Sequence, residues 1–525
     1  MTPKIKTIAT LAAAILAAGA TQLRAQTPCP GLKLDEMTFV RQNFARNFYN
    51  SNIPASRLNM DGPELFLKNS ANLIVEGSVP EQEGQSLRFA DNGVTSVRVA
   101  SFHPYFCYEA DFRDIPSDGR AGIVFYANDG SSRITVYRCG NALKAEKDGK
   151  EICSKECASA ADFTMRIQYT GARFHIFTCE CAAAESGSGE AGLNSRMSRP
   201  VASVSCDMRR MDAPVKWSWG IRAEGCAGGA LTRAESCLSC GTGQADPQIV
   251  QNADGTPLVI DGRLYICMTT RGFEQIPDSY QGVYSLGLSG FDLRLEGALF
   301  FTEGDGRMLG YHATKVVRDG DRYLVMTTTH GGKLHTLAYA ETGADILHGI
   351  HYLECRNLEF PHKEAEGTKY GTEDPDFFYD AKARRWRLAY CARQGSNKDG
   401  QHLSYVTHLC ESKNWDGPYK LIATSKEDNN TGIRITTVGG KRYVLSGGSD
   451  TTFYIYDYPG LECLGTFRQE FPNGGFRGWP TIVPLQCGNY ERYLWITFDR
   501  GAQTGKYSYG TLYFYLGDKM WLNRR

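Results

Sequence analysis

Net charge is the first thing this chain lacks. Its 58 Lys and Arg residues are matched by 58 Asp and Glu residues, and no basic stripe or run of one sign appears. A nucleic acid or an anionic membrane surface is held by clustered cations, so neither is expected as a partner. Beyond the first residues there is no stretch approaching the ~20 apolar residues that a membrane span needs. Histidine is scarce, 10 in 525 residues. None follows Cys237-Leu-Ser-Cys240 at zinc-finger distance, and Cys153-Ser-Lys-Glu-Cys157 has unusual spacing, so no metal ligands are assigned.

What is present begins with an export signal. Lys4 and Lys6 supply a positive region, Ile8 through Ala18 an apolar stretch, and Leu23-Arg-Ala25 before Gln26 a small-residue cleavage site. Residues 1–25 are therefore expected to be removed, with the mature protein periplasmic or extracellular. The 17 cysteines are an odd number, which leaves at least one thiol unpaired. In an exported chain, disulfides are expected among the N-terminal cysteines, with their connectivity open. Cys267 and Cys391 lie in apolar strand patterns and are expected as buried packing thiols.

A length of 525 residues allows two or more full domains, and the texture changes along it. Between residues 26 and 235, short alternating segments such as Tyr108–Phe112, Gly122–Tyr126, Phe163–Tyr169 and Trp217–Arg222 are divided by Gly, Asp and Ser turns, the pattern of a two-sheet sandwich. An Ala, Ser and Gly-rich stretch at 182–200 reads as a surface loop, and residues 236–245 read as a linker. From 246 to 525 a hairpin recurs five times, starting near Thr256, Thr314, Pro375, Arg434 and Pro480. The spacing of roughly 45 to 65 residues is that of propeller blades of four strands each. The fold class predicted is all-β: an N-terminal sandwich followed by a C-terminal five-bladed β-propeller.

In such a ring the first strands converge on the axis. Aligning the hairpins on their turns and second strands puts Asp254, His312 and Glu373 at one equivalent place, facing a shared funnel. A pair of carboxylates there suits glycosidic cleavage, one protonated toward the leaving oxygen and one ionised. Asp246-Pro247 offers a second candidate for the ionised partner. Asp374 and Asp376 follow Glu373, and either is placed to act as a third carboxylate. Arg434, Arg477, Trp479 and Arg271 are the candidates for holding substrate, with Trp479 an apolar platform for a sugar face. His312 is a candidate for contacting substrate hydroxyls, and His330 follows a second strand nearby.

Thr372-Glu-Asp-Pro-Asp-Phe-Phe-Tyr-Asp380 resembles the acid motif of the five-bladed glycoside hydrolases of families 43 and 32, in which the acid Glu stands two residues before a Pro that opens an apolar strand. The N-terminal half resembles the concanavalin-like jelly rolls attached to such enzymes. The resemblance implies that Glu373 is the general acid and that an Asp of blade one, Asp254 or Asp246, is base or nucleophile. It implies a carbohydrate substrate and no required cofactor, with a structural calcium on the axis in some relatives. Blade two departs from the family pattern, offering Gly310-Tyr-His-Ala-Thr314 where a third Asp is usual. Two other readings stay open: a non-catalytic glycan-binding protein, and a lyase acting on uronate glycans through His312.

Overall fold

The computed structural model describes residues 39–42, 45–46, 54–57, 78–84, 86–180, 200–239, 241, 243–272, 279–330, 336–359, 371–393, 405–448, 452–468, 478–487, 490–499, 510–517 and 520–521. The export signal, Arg477 and nearly all of the 182–200 loop lie outside these residues. Among the described residues no helix is long and apolar enough to cross a membrane.

The N-terminal part is a two-sheet antiparallel sandwich. One sheet orders its strands as Lys150–Glu156, Ala142–Lys147, Arg133–Cys139, Arg120–Ala127, Trp217–Glu224 and Val94–Ser101. The other runs from Ala202–Ser205 through Arg173–Glu180, Phe163–Tyr169 and Phe106–Arg113 to Ala230–Leu238. Strand alternation sends Tyr108, Ala110 and Phe112 inward and Glu109 and Asp111 to the other face. Between the sheets Phe102, Phe125, Tyr108, Tyr169 and Trp219 make edge-to-face and tilted contacts, with centroids 5.0–5.7 Å apart. Burying each such ring contributes about 1.5–3 kcal/mol.

The C-terminal part is five sheets in a ring. Their inner strands are Gly243–Ile249, His312–Asp319, Thr372–Asp380, Thr431–Val438 and Thr481–Cys487, in blades one to five. Each inner strand packs beside the next, and that of blade five returns to blade one. Side chains stitch the ring across the axis. Gln248 of blade one donates to the carbonyls of Ala313 and Pro375, in blades two and three. Thr481 of blade five donates to the carbonyl of Pro247, in blade one.

Two boundaries differ from the sequence expectation. Residues 236–245, read as a linker, are mostly strand: Ala230–Leu238 belongs to the sandwich and Gly243–Ile249 is the inner strand of blade one. The inner strand was passed over because Gln244, Asp246 and Gln248 make it polar, although all seven residues are buried. At the other end, Val40–Gln42 pairs with Thr511–Leu516 as the outermost strand of blade five, and Ala45–Arg46 pairs with Asp292–Thr302 of blade one. The segment preceding the sandwich thus fastens the two blades where the ring begins and ends.

The sandwich docks on blade one and its neighbour through aromatic contacts. His103 sits between Phe106 and Phe300, with ring centroids 4.6 and 5.0 Å away, and Tyr280 of blade one donates to the carbonyl of Ser239. The thirteen cysteines whose side chains are described are all thiols, so the disulfides expected in the N-terminal half are not formed among them. Cys267 is wholly buried in the apolar second strand of blade one, and burial pushes its thiol well up.

Candidate active site

Four of the five inner strands carry the same irregularity near their starts. The pairing with the second strand slips between Ala245 and Gln248, His312 and Lys315, Glu373 and Asp376, and Thr431 and Arg434. In each slip one residue is left-handed: Asp246 (φ 54°), Ala313 (φ 55°), Asp374 (φ 64°) and Gly432 (φ 64°). A non-glycine residue held there costs on the order of 1–3 kcal/mol, a cost that gathers at working sites. These bulges turn successive side chains toward the axis. Asp246, Ala313, Asp374 and Gly432 are therefore equivalent, and so are Ala245, His312, Glu373 and Thr431 just before them.

Threonines at the ends of second strands hold the bulges. Thr269 accepts from the amide of Ala313, and Thr328 accepts from the amide of Asp374. Each thus supports the bulge of the following blade, a role for the repeated Met-Thr-Thr of blades one and two.

Three carboxylates meet at this level. Asp246 is paired with Arg271 at 3.2 Å, both at most 6% exposed. Asp374 accepts from the Thr431 hydroxyl and the Gly432 amide, each at 2.8 Å, and from the Cys391 thiol at 3.5 Å. Burial, and then the neighbouring Asp246 charge, push the Asp374 carboxyl up. Glu373 precedes Asp374, is 8% exposed, and its carbonyl accepts from the Cys391 thiol. Cys391 is therefore more than the packing thiol expected. Gly432 fits only as glycine, because a Cβ there would meet the carbonyl oxygen of Gly478 and the ring of Trp479 at 2.7 Å.

One layer further along the axis sit Gln248, Lys315, Asp376 and Arg434. The Lys315 ammonium contacts Asp376 at 2.8 Å, and the amide of Ile435 donates to the same carboxylate at 2.8 Å. Burial lowers the Lys315 proton affinity, and Asp376 opposes that. Arg434 donates to Thr481 and to the carbonyl of Ile433, and its guanidinium lies 4.6 Å from the Trp479 ring centre.

The sequence expectations divide accordingly. Glu373, Asp374, Asp246, Arg271 and His312 come together around the axis, and His312 stands 5.5 Å from His330, centroid to centroid. Asp254 does not join them. Asn252 pairs with Arg318, six residues beyond His312 on the inner strand of blade two, which at about 3.3 Å per residue is roughly 20 Å away. Asp254 lies two residues further on, exposed, closing a turn by accepting from the Thr256 amide and hydroxyl. The reason is that the inner strand of blade one is Gly243–Ile249 and not the apolar segment 256–260. Trp479 is also corrected. At 2% exposure it is a wedge under Gly432 and Arg434, its indole N–H donating to the carbonyl of Pro247 at 3.1 Å, not an open platform. Arg434 is likewise internal, 3% exposed. The shared Asp-Pro dipeptide, Asp246-Pro247 and Asp374-Pro375, marks the two bulges, because proline offers no N–H to the ladder.

Glu373, Asp374 and Cys391 bring ligand atoms within 4.8 Å of one another. A thiol in the set, and Arg434 close enough to feel Asp374 and Cys391, suit a hard, all-oxygen ion such as calcium poorly.

No protein-family model matches the chain, and no curated protein matches it. Solved structures similar to it include a B. subtilis levansucrase, at 12% identity over 53% of this chain and 86% of that one, with a TM-score of 0.39. A family 117 glycoside hydrolase from the marine bacterium Zobellia galactanivorans is similar at 13% identity, over 53% and 84%, with a TM-score of 0.37. An inulosucrase from Halalkalicoccus jeotgali is similar at 14% identity, over 52% and 84%, with a TM-score of 0.37. Likenesses this distant assign no reaction to this chain.

Proposed function

We propose that the protein is an exported glycoside hydrolase acting in the funnel above Asp246 and Glu373, its sandwich a concanavalin-like jelly roll that supports the pocket edge or binds glycan. The observation that carries this reading is the equivalence of two bulges on different blades, which aims Asp246 and the Glu373–Asp374 pair at one axis. Glu373, the more accessible acid of its pair, hands a proton to the departing glycosidic oxygen. Asp246, paired with Arg271 at 3.2 Å, directs water at the anomeric carbon or attacks it directly. Asp374 is the third carboxylate, held beside Glu373 by Gly432 and Thr431. His312 and His330 border the funnel where they reach substrate hydroxyls.

A panel of aryl glycosides and glycan fragments tests this with Glu373→Gln and Asp246→Asn. Loss of the acid should grow more severe as the leaving group becomes a poorer one. Turnover of a poor leaving group by Glu373→Gln at the wild-type rate would refute the assignment. The anomer first released, read by NMR, tells whether Asp246 acts on carbon or through water. The His312–His330 pair favours one rival, a uronate lyase, whose products would absorb in the ultraviolet where hydrolysis gives none. Binding of oligosaccharides without turnover by the wild type would point to a glycan-binding protein.

A further inference from the structure

At the end of the axis remote from the bulges lies a cavity of about 220 Å³. A water in the liquid claims about 30 Å³, so the space suits a ligand of monosaccharide size. Its walls are apolar where Ile249, Pro257, Ile435, Ile482, Val483 and Pro484 line it, and Gln251, Asp254, Thr256, Asp376, Thr436, Thr437, Arg442 and Glu491 supply its polar groups. Asp376 is already held by Lys315 and Asp254 by its own turn, which leaves Arg442 and Glu491 facing the space.

Arg442 opens the second strand of blade four, opposite Thr437. Its guanidinium lies 4.0 Å from the Phe378 ring centre and 5.6 Å from that of Tyr458, and the two rings are themselves 6.0 Å apart. Tyr458 is fixed in turn by donating to Asp380 at 2.6 Å. Among the described residues Arg442 makes no hydrogen bond and no ion pair within 4 Å. Arg233, Arg263, Arg271 and Arg387 each pair with a carboxylate within 4 Å, whereas Arg442 feels the Asp380 carboxylate only at longer range. A guanidinium braced on aromatic faces, with its N–H fork unused, is pre-organised for a planar anion. Across the cavity Glu491 accepts from the Tyr493 hydroxyl at 2.8 Å, and burial raises its carboxyl. Its oxygens are placed to accept from hydroxyl groups.

We propose that this far-mouth cavity is a second ligand site, which takes a small polyhydroxy acid with its carboxylate on Arg442 and its hydroxyls on Glu491. It stands apart from the funnel: Arg442 pairs with Thr437, six residues along the inner strand from Thr431 at the bulge level, or roughly 20 Å away. The proposal does not depend on what the funnel does.

Calorimetry and thermal-shift measurements on the full chain, with D-glucuronate, D-glucose and inorganic phosphate as probes, test it. Glucuronate should bind and raise the unfolding temperature, and glucose should not. Arg442→Gln should weaken glucuronate at least tenfold. Arg442→Lys keeps the charge and a cation–π contact but loses the planar fork, and should weaken it less. Glu373→Gln should leave glucuronate affinity unchanged, which separates this cavity from the funnel. Phosphate binding as well as glucuronate would overturn the polyhydroxy-acid specificity. Glucuronate affinity unaffected by Arg442→Gln, or lost in Glu373→Gln, would overturn the site itself.

Discussion

In the sandwich, Glu109, Asp111, Arg166, Arg233 and Glu235 form a buried charge cluster drawn from three neighbouring strands of one sheet. At the propeller axis, Asp246, Arg271, Lys315, Asp374, Asp376 and Arg434 come from four different sheets. The sandwich cluster is closed on itself: Arg166 meets Glu109 at 2.5 Å, while Arg233 reaches Glu109, Asp111 and Glu235. In the axial cluster Lys315 and Arg434 lie in the deeper layer and Arg271 pairs with Asp246, while Glu373 and Asp374 stand beside a thiol and a backbone amide. Charge bonded within one sheet holds that sheet's geometry. Charge that four sheets must converge to assemble, on strained backbone, is paid for by function.

The widest separation between the two clusters should be in rate. Glu373→Gln is expected to lower kcat on a glycoside with a poor leaving group by about 10³- to 10⁴-fold, the upper part of the range for a general acid. Its melting temperature should stay within a degree or two, since the isosteric amide keeps the packing. Steady-state kinetics beside a thermal melt decide it, and a large loss of stability with little loss of rate would merge the two clusters into one kind.

The sandwich cluster should show the reverse. Arg166→Met leaves Glu109, 3% exposed, with one of its two guanidinium partners. Breaking a buried pair on one side costs about 3–5 kcal/mol, and with Arg233 remaining the lower end is expected. Burial already pushes the Glu109 carboxyl up to about 7 against the pull of Arg233, so protonation relieves part of the penalty. Urea unfolding should register the loss, while kcat per folded molecule should not change.

Gly432→Ala probes both at once on the propeller side. The position is left-handed, and its Cβ would press on Gly478 and Trp479. A cost of about 2 kcal/mol is expected from the backbone alone. Because the Gly432 amide is a partner of Asp374, the rate should fall as well, and a variant that loses stability but keeps full activity would detach Asp374 from the chemistry.

How much of this could be read beforehand follows from the same contrast. The sandwich strands were legible because their cores are aromatic and alternate with polar residues, as in Tyr108–Phe112. The second strands of the blades were legible for the same reason, and so was Glu373, through its proline two residues on. The inner strand of blade one was not, because Gln244, Asp246 and Gln248 are polar yet buried, a pattern that periodicity reads as loop. That single omission displaced the choice from Asp246 to Asp254 and turned Gly243–Ala245 into linker. Trp479 was legible as an aromatic near the axis, but not as a wedge, since its burial depends on Gly432 in the blade beside it.

The smallest expected difference between the two regions is in acid. His103 and His175, both in the sandwich, are held neutral by burial, their imidazoles lowered to about 3 and about 4. His103 accepts from the amide of Tyr105 at 3.2 Å and His175 contacts Ser203 at 2.8 Å, contacts that a neutral ring can make. In the unfolded chain both titrate near 6.5, so below that pH the unfolded state binds more protons and stability falls as pH falls. At pH 5.5 each should have cost about 1.4 kcal/mol relative to neutral pH, one unit of unfolded-state titration. Asp374 works in the opposite direction: its raised carboxyl contributes stability that is present in acid and lost as pH rises through its folded value. Urea midpoints at pH 7.5 and 5.5 should therefore drop for the wild type and drop by less for His175→Gln, whereas Asp374→Asn should steepen the fall. An unchanged slope in His175→Gln would show that the sandwich histidines are not where the acid sensitivity resides.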